Sequence, residues 1–434
     1  MITTAAKIEF PRYESYRDSG VDWLGEIPSH WELSRLQYQM KLTNGYAFKP
    51  SDWGHEGIPI VRIQNLNGSE DFNRISPRKR IPAKYILKHG DIVFSWSGNV
   101  GTSFGAFLWE HENEAYLNQH IFKVHRYKNY HREFVYWLLR AVTAEVESNT
   151  HGIFGLVHIT KGELGKTTLP VIPLDEQQRI ANFLDEKTAE IDEAISKKQR
   201  LIALLKEQKA ILINQAVCKG INPNAPLKDS HIPWIGQIPK HWEVKRNKFV
   251  FKEVDERSTD GTEELLSVSH MTGVTPRSEK QNVHMFMAED YTGSKLCTEG
   301  DLVINTMWAW MGALGVSGQL GIISPSYGVY RTRDKNTFNS WYLENLLRSP
   351  QYVAQYNRIS TGLHSSRLRL YPDMFLGMEI SIPPKEEQDE IESSTRLRCE
   401  TMDLAMEAAN REIQAMKELK QVLISKAVTG KIKI

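Results

Sequence analysis

One stretch of this chain is written twice. YRDSGVDWLGEIPSHWELSRL at 16–36 returns as LKDSHIPWIGQIPKHWEVKRN at 227–247, with 10 of 21 positions identical at an offset of 211. Trp23, Gly25, Ile27, Pro28, His30, Trp31, Glu32 and Arg35 recur as Trp234, Gly236, Ile238, Pro239, His241, Trp242, Glu243 and Arg246. Gly90-Asp-Ile-Val93 returns as Gly300-Asp-Leu-Val303, and Leu138-Leu-Arg140 as Leu346-Leu-Arg348. Pro173-x-x-Glu176-Gln177-x-x-Ile180 matches Pro384-x-x-Glu387-Gln388-x-x-Ile391, and LKEQKAILINQAV at 205–217 matches MKELKQVLISKAV at 416–428 with 7 of 13 identical. A long internal period predicts two copies of one structural plan: 15 leading residues, a copy of 211 and a copy of 208. The copies agree at their ends and diverge in their middles. A shared frame holding two unlike inserts suits a protein that reads two unlike things.

Each middle reads as mixed α/β. In copy 1, Ile58–Ile63 and Asp91–Trp96 are strand-like runs broken by Asn67-Gly68, Ser97-Gly98 and Gly101, with a helix near Glu133–Arg140. Copy 2 offers Glu264–Ser269, Asp301–Asn305 and a helix near Ser340–Leu347. The closing segments differ in kind. After Pro173, Asp175 and Glu176 place negative charge in a first helical turn, and Lys219-Gly220 supplies a cation and a stop. No Pro or Gly intervenes, which predicts a helix of roughly 65 Å. Heptad core positions 184, 188, 191, 195, 198, 202, 205, 209, 212 and 216 carry Leu184, Ile191, Ile195, Ile202, Leu205, Leu212 and Ala216 among them, seven of ten apolar. The register shifted by 211 includes Met402, Met406, Ile413, Met416 and Leu423, with eight of ten apolar. Matched heptads favour a coiled coil of the two helices over two amphipathic helices, each packed on its own domain.

Composition limits what such a body does. At roughly 150 residues per domain, 434 residues make two or three domains. A net charge of +1 argues against binding DNA by phosphate neutralisation alone. Cys218, Cys297 and Cys399 lie far apart, giving neither a disulfide framework nor a cysteine zinc site. With no apolar leader and no run near 18 apolar residues, the expectation is a soluble, cytoplasmic protein with no membrane partner. Catalytic signatures are missing. Gly162-Glu-Leu-Gly165-Lys166-Thr167 has the tail of a phosphate loop, but its first glycine would fall on Thr160, so a surface turn is expected. No Asn/Asp-Pro-Pro-Tyr/Phe, G-x-S-x-G, H-E-x-x-H or G-x-G-x-x-G string occurs. The Trp-His-Trp cluster around His30 and His241 reads as a core aromatic plug rather than a stacking platform. The chain is not expected to be an enzyme on its own or to hold a metal.

In the order G-x-I-P-x-H-W-E, Gly-Asp-Ile/Leu-Val, Pro-x-x-Glu-Gln-x-x-Ile and long helix, found twice, the sequence resembles the specificity subunit of type I restriction-modification systems over nearly its whole length. The resemblance implies an α/β fold: target recognition domains at 1–173 and 222–384, and spacer helices at 174–221 and 385–434 that run antiparallel as a coiled coil with pseudo-twofold symmetry. It implies a non-catalytic subunit that recognises a bipartite, asymmetric sequence in double-stranded DNA. Two modification subunits that methylate adenine at N6, and ATP-driven restriction subunits, are the implied partners. S-adenosylmethionine, ATP and Mg are then expected in those partners and no cofactor here. Lengthening the helices should change the gap between half-sites and leave the half-sites themselves unchanged.

DNA contacts must come from local clustering, since residues 1–173 carry 20 basic and 18 acidic groups and 220–383 carry 17 and 17. Arg78, Lys79 and Arg80, in the densest basic run, are candidates for positioning phosphate, or else a solvated loop. His364, Arg367 and Arg369 form a polar loop ahead of the second spacer, where Arg can contact guanine bidentately. The matching loop of copy 1 offers His151. Arg62, Gln64, Asn65 and Arg277 are read as strand-end candidates. A scaffold that assembles other proteins without reading DNA is the competing reading, favoured only by the near-neutral charge.

Overall fold

The two long helices run over Leu174–Lys219 and Lys385–Val428 in a computed structural model that describes residues 10–75, 81–126, 130–149, 156–279, 290–362 and 368–434. Each has acidic residues in its first turn and a lysine in its last, the polarity that the helix dipole favours. The first stops where Gly220 takes a left-handed φ of +76°. All twenty heptad positions read from the sequence are buried or half-buried. The chain divides into two units, Met1–Lys198 with Asn410–Ile434, and Gln199–Ala409, so each unit holds the first half of one long helix and the last half of the other.

Within each unit the helices pack antiparallel. In the first, Asp192 meets Lys420 at 2.6 Å and Lys198 meets Glu412 at 2.5 Å, positions rising on one helix and falling on the other. In the second, Lys209 Nζ lies 2.6 Å from Asp403. Lys198, Lys209 and Lys420 are the lysines that interrupt the apolar heptad pattern, and each reaches a carboxylate on the facing helix. Their stems stay in the seam while their ammonium groups pair outside it.

The α/β bodies share one sheet plan. In the first unit a four-stranded sheet orders Gly105–Leu108, Ile92–Ser95, Ile121–Arg126 and Met40–Asn44, all antiparallel. In the second, Leu314–Val316, Leu302–Ile304, Gly328–Thr332 and Phe251–Glu253 take the same order. The repeated Gly-Asp opens the second strand each time. Gly90 and Gly300 adopt φ of +79° and +84°, and the aspartate closes the turn by accepting a backbone N–H, from Lys88 at 2.7 Å and from Thr298 at 2.9 Å. Lys123 and Arg331 neutralise the two carboxylates at 2.5 and 2.8 Å. The first unit adds a five-stranded sheet that includes Ile58–Val61 and Ala115–Leu117. Helices form at Arg132–Asn149 and Ser340–Leu347; in the first, Phe134, Val135, Leu138, Leu139 and Val142 are the buried stripe at helical spacing.

The repeated end motifs lock the helices to these bodies. Glu176, in the first helical turn, accepts Trp31 Nε1 at 3.1 Å and Tyr13 OH at 2.9 Å and lies 2.7 Å from His30 Nε2. Glu387 takes Trp242 at 3.0 Å and His241 at 2.6 Å. The next residue clamps the preceding strand: Gln177 Nε2 donates to Ile172 O and Gln388 Nε2 to Pro383 O, at 2.7 and 2.9 Å. Trp31 and Trp242 are buried, as a core plug requires. Against Trp31 in the first unit pack Leu423, Ile424, Ala427 and Val428 from the end of the second helix. In the second unit, Ala216, Val217 and Cys218 from the end of the first helix join the core of Trp242. Residues that repeat thus build the frame.

Two sequence expectations need correction. Gly162–Thr167 is not a simple turn: Lys161–Lys166 is a short helix, with Thr160 as its N-cap and Glu163 closing a capping box. The run Ile58–Ile63 ends as a strand at Val61, and Arg62 caps a helical turn, Ile63–Leu66. Among the described residues no helix is long and apolar enough to cross a membrane.

Candidate nucleic-acid interface

Arg78, Lys79, Arg80, His151, His364 and Arg367 lie outside the described residues. The others fall into two places. Asn65 is buried, its Oδ1 accepting the Arg62 N–H at 3.0 Å and its Nδ2 donating to Ser69 O and Asp71 O at 3.0 Å. Its amide is used within the turn. Gln64 is exposed on that turn, and the half-buried Arg62 guanidinium sits 5.6 Å from the centre of the Trp53 ring, which is 42% exposed. Arg62 Nε is buried, with no hydrogen-bond partner among the described residues.

In the second unit the segment after the Gly-Asp strand is tied to the chain beside Arg369. Asn305 Nδ2 donates to Tyr327 OH at 3.0 Å and Thr306 Oγ1 to Ser326 O at 2.7 Å, fixing the base of the hairpin on the neighbouring turn. Leu370 N donates to Thr306 O at 3.0 Å, and the preceding residue, Arg369, is exposed with its backbone paired to Thr361 at 2.8 and 3.1 Å. Burial pushes the Tyr327 phenol above its usual range, and the nearby charge of Arg277 opposes that rise. Arg369 therefore flanks the segment tied to Thr306, two residues before Trp308 in the hairpin tip Met307-Trp-Ala-Trp-Met311, and Arg277 lies near Tyr327, the partner of Asn305. Ala309 anchors the tip, fully buried, and Gly312 turns it at φ +81°. Trp308 is 50% exposed and stacks on Trp310, centroids 6.3 Å apart and planes 16° apart.

The first unit has the same construction with other side chains. Ser97–Asn99 pairs antiparallel with Leu156–His158, which begins five residues after His151 in the sequence. Trp96 stacks on Phe122 at 6.1 Å, with His120 at 5.3 Å and His158 at 4.8 Å, and its Nε1 donates to Gln119 O at 3.1 Å. Gly98 permits the hairpin to close: a Cβ there would stand 2.5 Å from the Ser103 backbone. The tip, Ser97–Ser103, has no aromatic residue, and Val100 is exposed.

Sequence reasoning missed Trp96, His120, His158, Asn305, Trp308, Trp310 and Tyr327. A signal was present: the most dissimilar short stretches begin directly after the repeated Gly-Asp strand. The first surface offers a ring and exposed imidazoles and the second ring faces near an exposed arginine, groups that contact base edges and phosphates. Among the described residues no group of three or more His, Cys, Asp or Glu is placed to hold a metal ion.

A family model described as the type I restriction modification DNA specificity domain matches residues 28–202. The putative type I restriction enzyme MjaX specificity subunit of Methanocaldococcus jannaschii is 23% identical over 445 residues, covering 98% of this chain and 99% of that protein. The type I restriction enzyme EcoBI specificity subunit of Escherichia coli is 27% identical over 203 residues, covering 46% of this chain and 41% of that relative, less than half its length. A solved chain from work on complex assembly and conformational transition of the type I R-M system shares the fold, with a TM-score of 0.62 at 17% identity and coverage of 93% and 98%. The chain is thus similar to type I restriction enzyme specificity subunits, in part of its length by the family model and over nearly all of it by the MjaX relative.

Proposed function

We propose that this chain is the non-catalytic, sequence-reading subunit of a type I restriction-modification assembly, in which each α/β unit reads one half of a split, asymmetric DNA target. The observation that carries this reading is the pair of hairpins. A shared frame, down to the Gly-Asp turn and the Glu-Gln helix lock, presents two chemically different tips. A scaffold for two copies of one partner would need the tips alike; a reader of two unlike half-sites needs them different. The long helices serve as the spacer and docking site for two adenine-N6 methyltransferase subunits, with restriction subunits completing the complex in the cytoplasm. S-adenosylmethionine, ATP and Mg belong to those partners, which also supply most of the phosphate neutralisation that a chain of net charge +1 lacks.

The test is co-expression with the neighbouring methyltransferase gene, followed by mapping of methylated adenines in the genome. A split motif with N6-methyladenine on both strands is expected. An active complex that methylates with no split motif would instead favour the scaffold. Exchanging residues 40–170 for the corresponding domain of another family member should change one half-site only.

A further inference from the structure

We propose that Trp308 is a specificity-determining base contact of the second unit, and that this unit reads part of its half-site by stacking and DNA deformability. The proposal rests on the DNA-reading function above and goes beyond it to a residue and a mode of recognition. Ala309, not Trp308, anchors the tip in the core, so half of a large indole is left in water without a folding role that needs it there. The ring is nonetheless held. It lies nearly parallel to Trp310, whose own Nε1 donates to Met307 O at 3.1 Å, and Gly312 fixes the backbone beyond it. A ring ordered before binding loses little entropy on contact.

Position supplies the ligand class. The hairpin is tied to Leu370, next to exposed Arg369, and through Asn305 and Tyr327 to the neighbourhood of Arg277. Cationic side chains bordering an exposed ring draw a phosphate backbone toward it and bring bases within reach. A ring face carries no donor or acceptor code. It distinguishes sequences by how readily a base step opens or unstacks, which is easiest at pyrimidine–purine steps. The half-site read by the second unit is therefore expected to contain such a step. The first unit has no aromatic residue at its tip, so its half-site is read by other contacts.

The experiment uses the full chain co-expressed with its methyltransferase, comparing wild type, Trp308→Ala and Trp308→Phe by methylated-adenine mapping. Trp308→Ala should relax one or two base positions of one half-site, with about a tenfold loss of discrimination there, and leave the other half-site intact. Trp308→Phe should retain the wild-type motif. Unchanged preference in both half-sites for Trp308→Ala overturns the proposal. Absence of any split motif in the wild type is a different result, and overturns the DNA-reading function itself. If Trp308→Ala lowers the melting temperature, Trp308→Leu, which keeps apolar bulk without a ring, carries the same expectation.

Discussion

Lys209 Nζ lies 2.6 Å from Asp403 Oδ2 and 2.7 Å from Oδ1, joining the two long helices within the second unit. The residues 211 positions away form the same bond in the first unit, Lys420 to Asp192 at 2.6 Å. Both pairs sit beside the seam, where a partly desolvated bridge fixes the register of antiparallel helices. Reversing one charge, Lys209→Glu, should cost about 1 kcal/mol and lower the melting temperature by a few degrees. Lys209→Glu with Asp403→Lys should recover most of that loss. A double-mutant cycle in thermal melts checks it, and simple additivity of the two substitutions would show that the pair is not coupled.

The helix lock gives a sharper expectation. Glu176 is buried and holds the indole N–H of buried Trp31 together with Tyr13 and His30. Glu176→Ala leaves that indole without an acceptor, at a cost of about 1–3 kcal/mol. Trp31→Ala removes a fully packed ring and should cost about 3–5 kcal/mol. The double variant should fall short of the sum, because the second change removes the donor that the first leaves unpaired. Chemical denaturation of the four proteins decides it; full additivity would mean that the hydrogen bond contributes nothing.

Two glycines separate backbone strain from packing. Gly300 and Gly430 have φ of +84° and +72°, so alanine is strained at both by roughly 1–2 kcal/mol. At Gly300 nothing among the described residues stands within 4 Å of a new Cβ, whereas at Gly430 it would collide with the Pro28 ring and the Trp31 ring. Gly430→Ala should therefore destabilise well beyond Gly300→Ala, and melts of the two variants that agree within a degree would refute the packing argument.

The heptad seam was legible because a period of 3.5 needs only local spacing, and every predicted core position proves to be buried or half-buried. Lys198, Lys209 and Lys420 counted against that pattern in the sequence. Their carboxylate partners are 194 to 228 residues away in the chain, and only the antiparallel register pairs them. The site was less legible. Asn65 has the composition of a base reader, yet its amide closes a turn, a local competition that the residue type does not reveal. Nothing in the sequence sets Trp308 apart from the chain's other tryptophans, and only the burial of Ala309 beside it shows which residue holds the tip down. Repeated residues exposed the frame, and the reading surface lay where repetition stopped.

The spacer prediction follows from the same helices. A seven-residue insertion in each long helix, placed after Lys198 and at its counterpart after Ala409, keeps the heptad phase and so leaves Lys209 facing Asp403. At 1.5 Å per residue the pair lengthens by about 10 Å, close to three base-pair steps. If the helices set the half-site gap, the mapped motif should gain about three unspecified base pairs while both half-sites stay as they were. A four-residue insertion in one helix alone shifts every later core position out of phase, and should lower stability before it alters the gap. Methylated-adenine maps of the matched insertion carry the test: a gap of unchanged length in an active, folded complex would mean that something other than helix length sets the spacing.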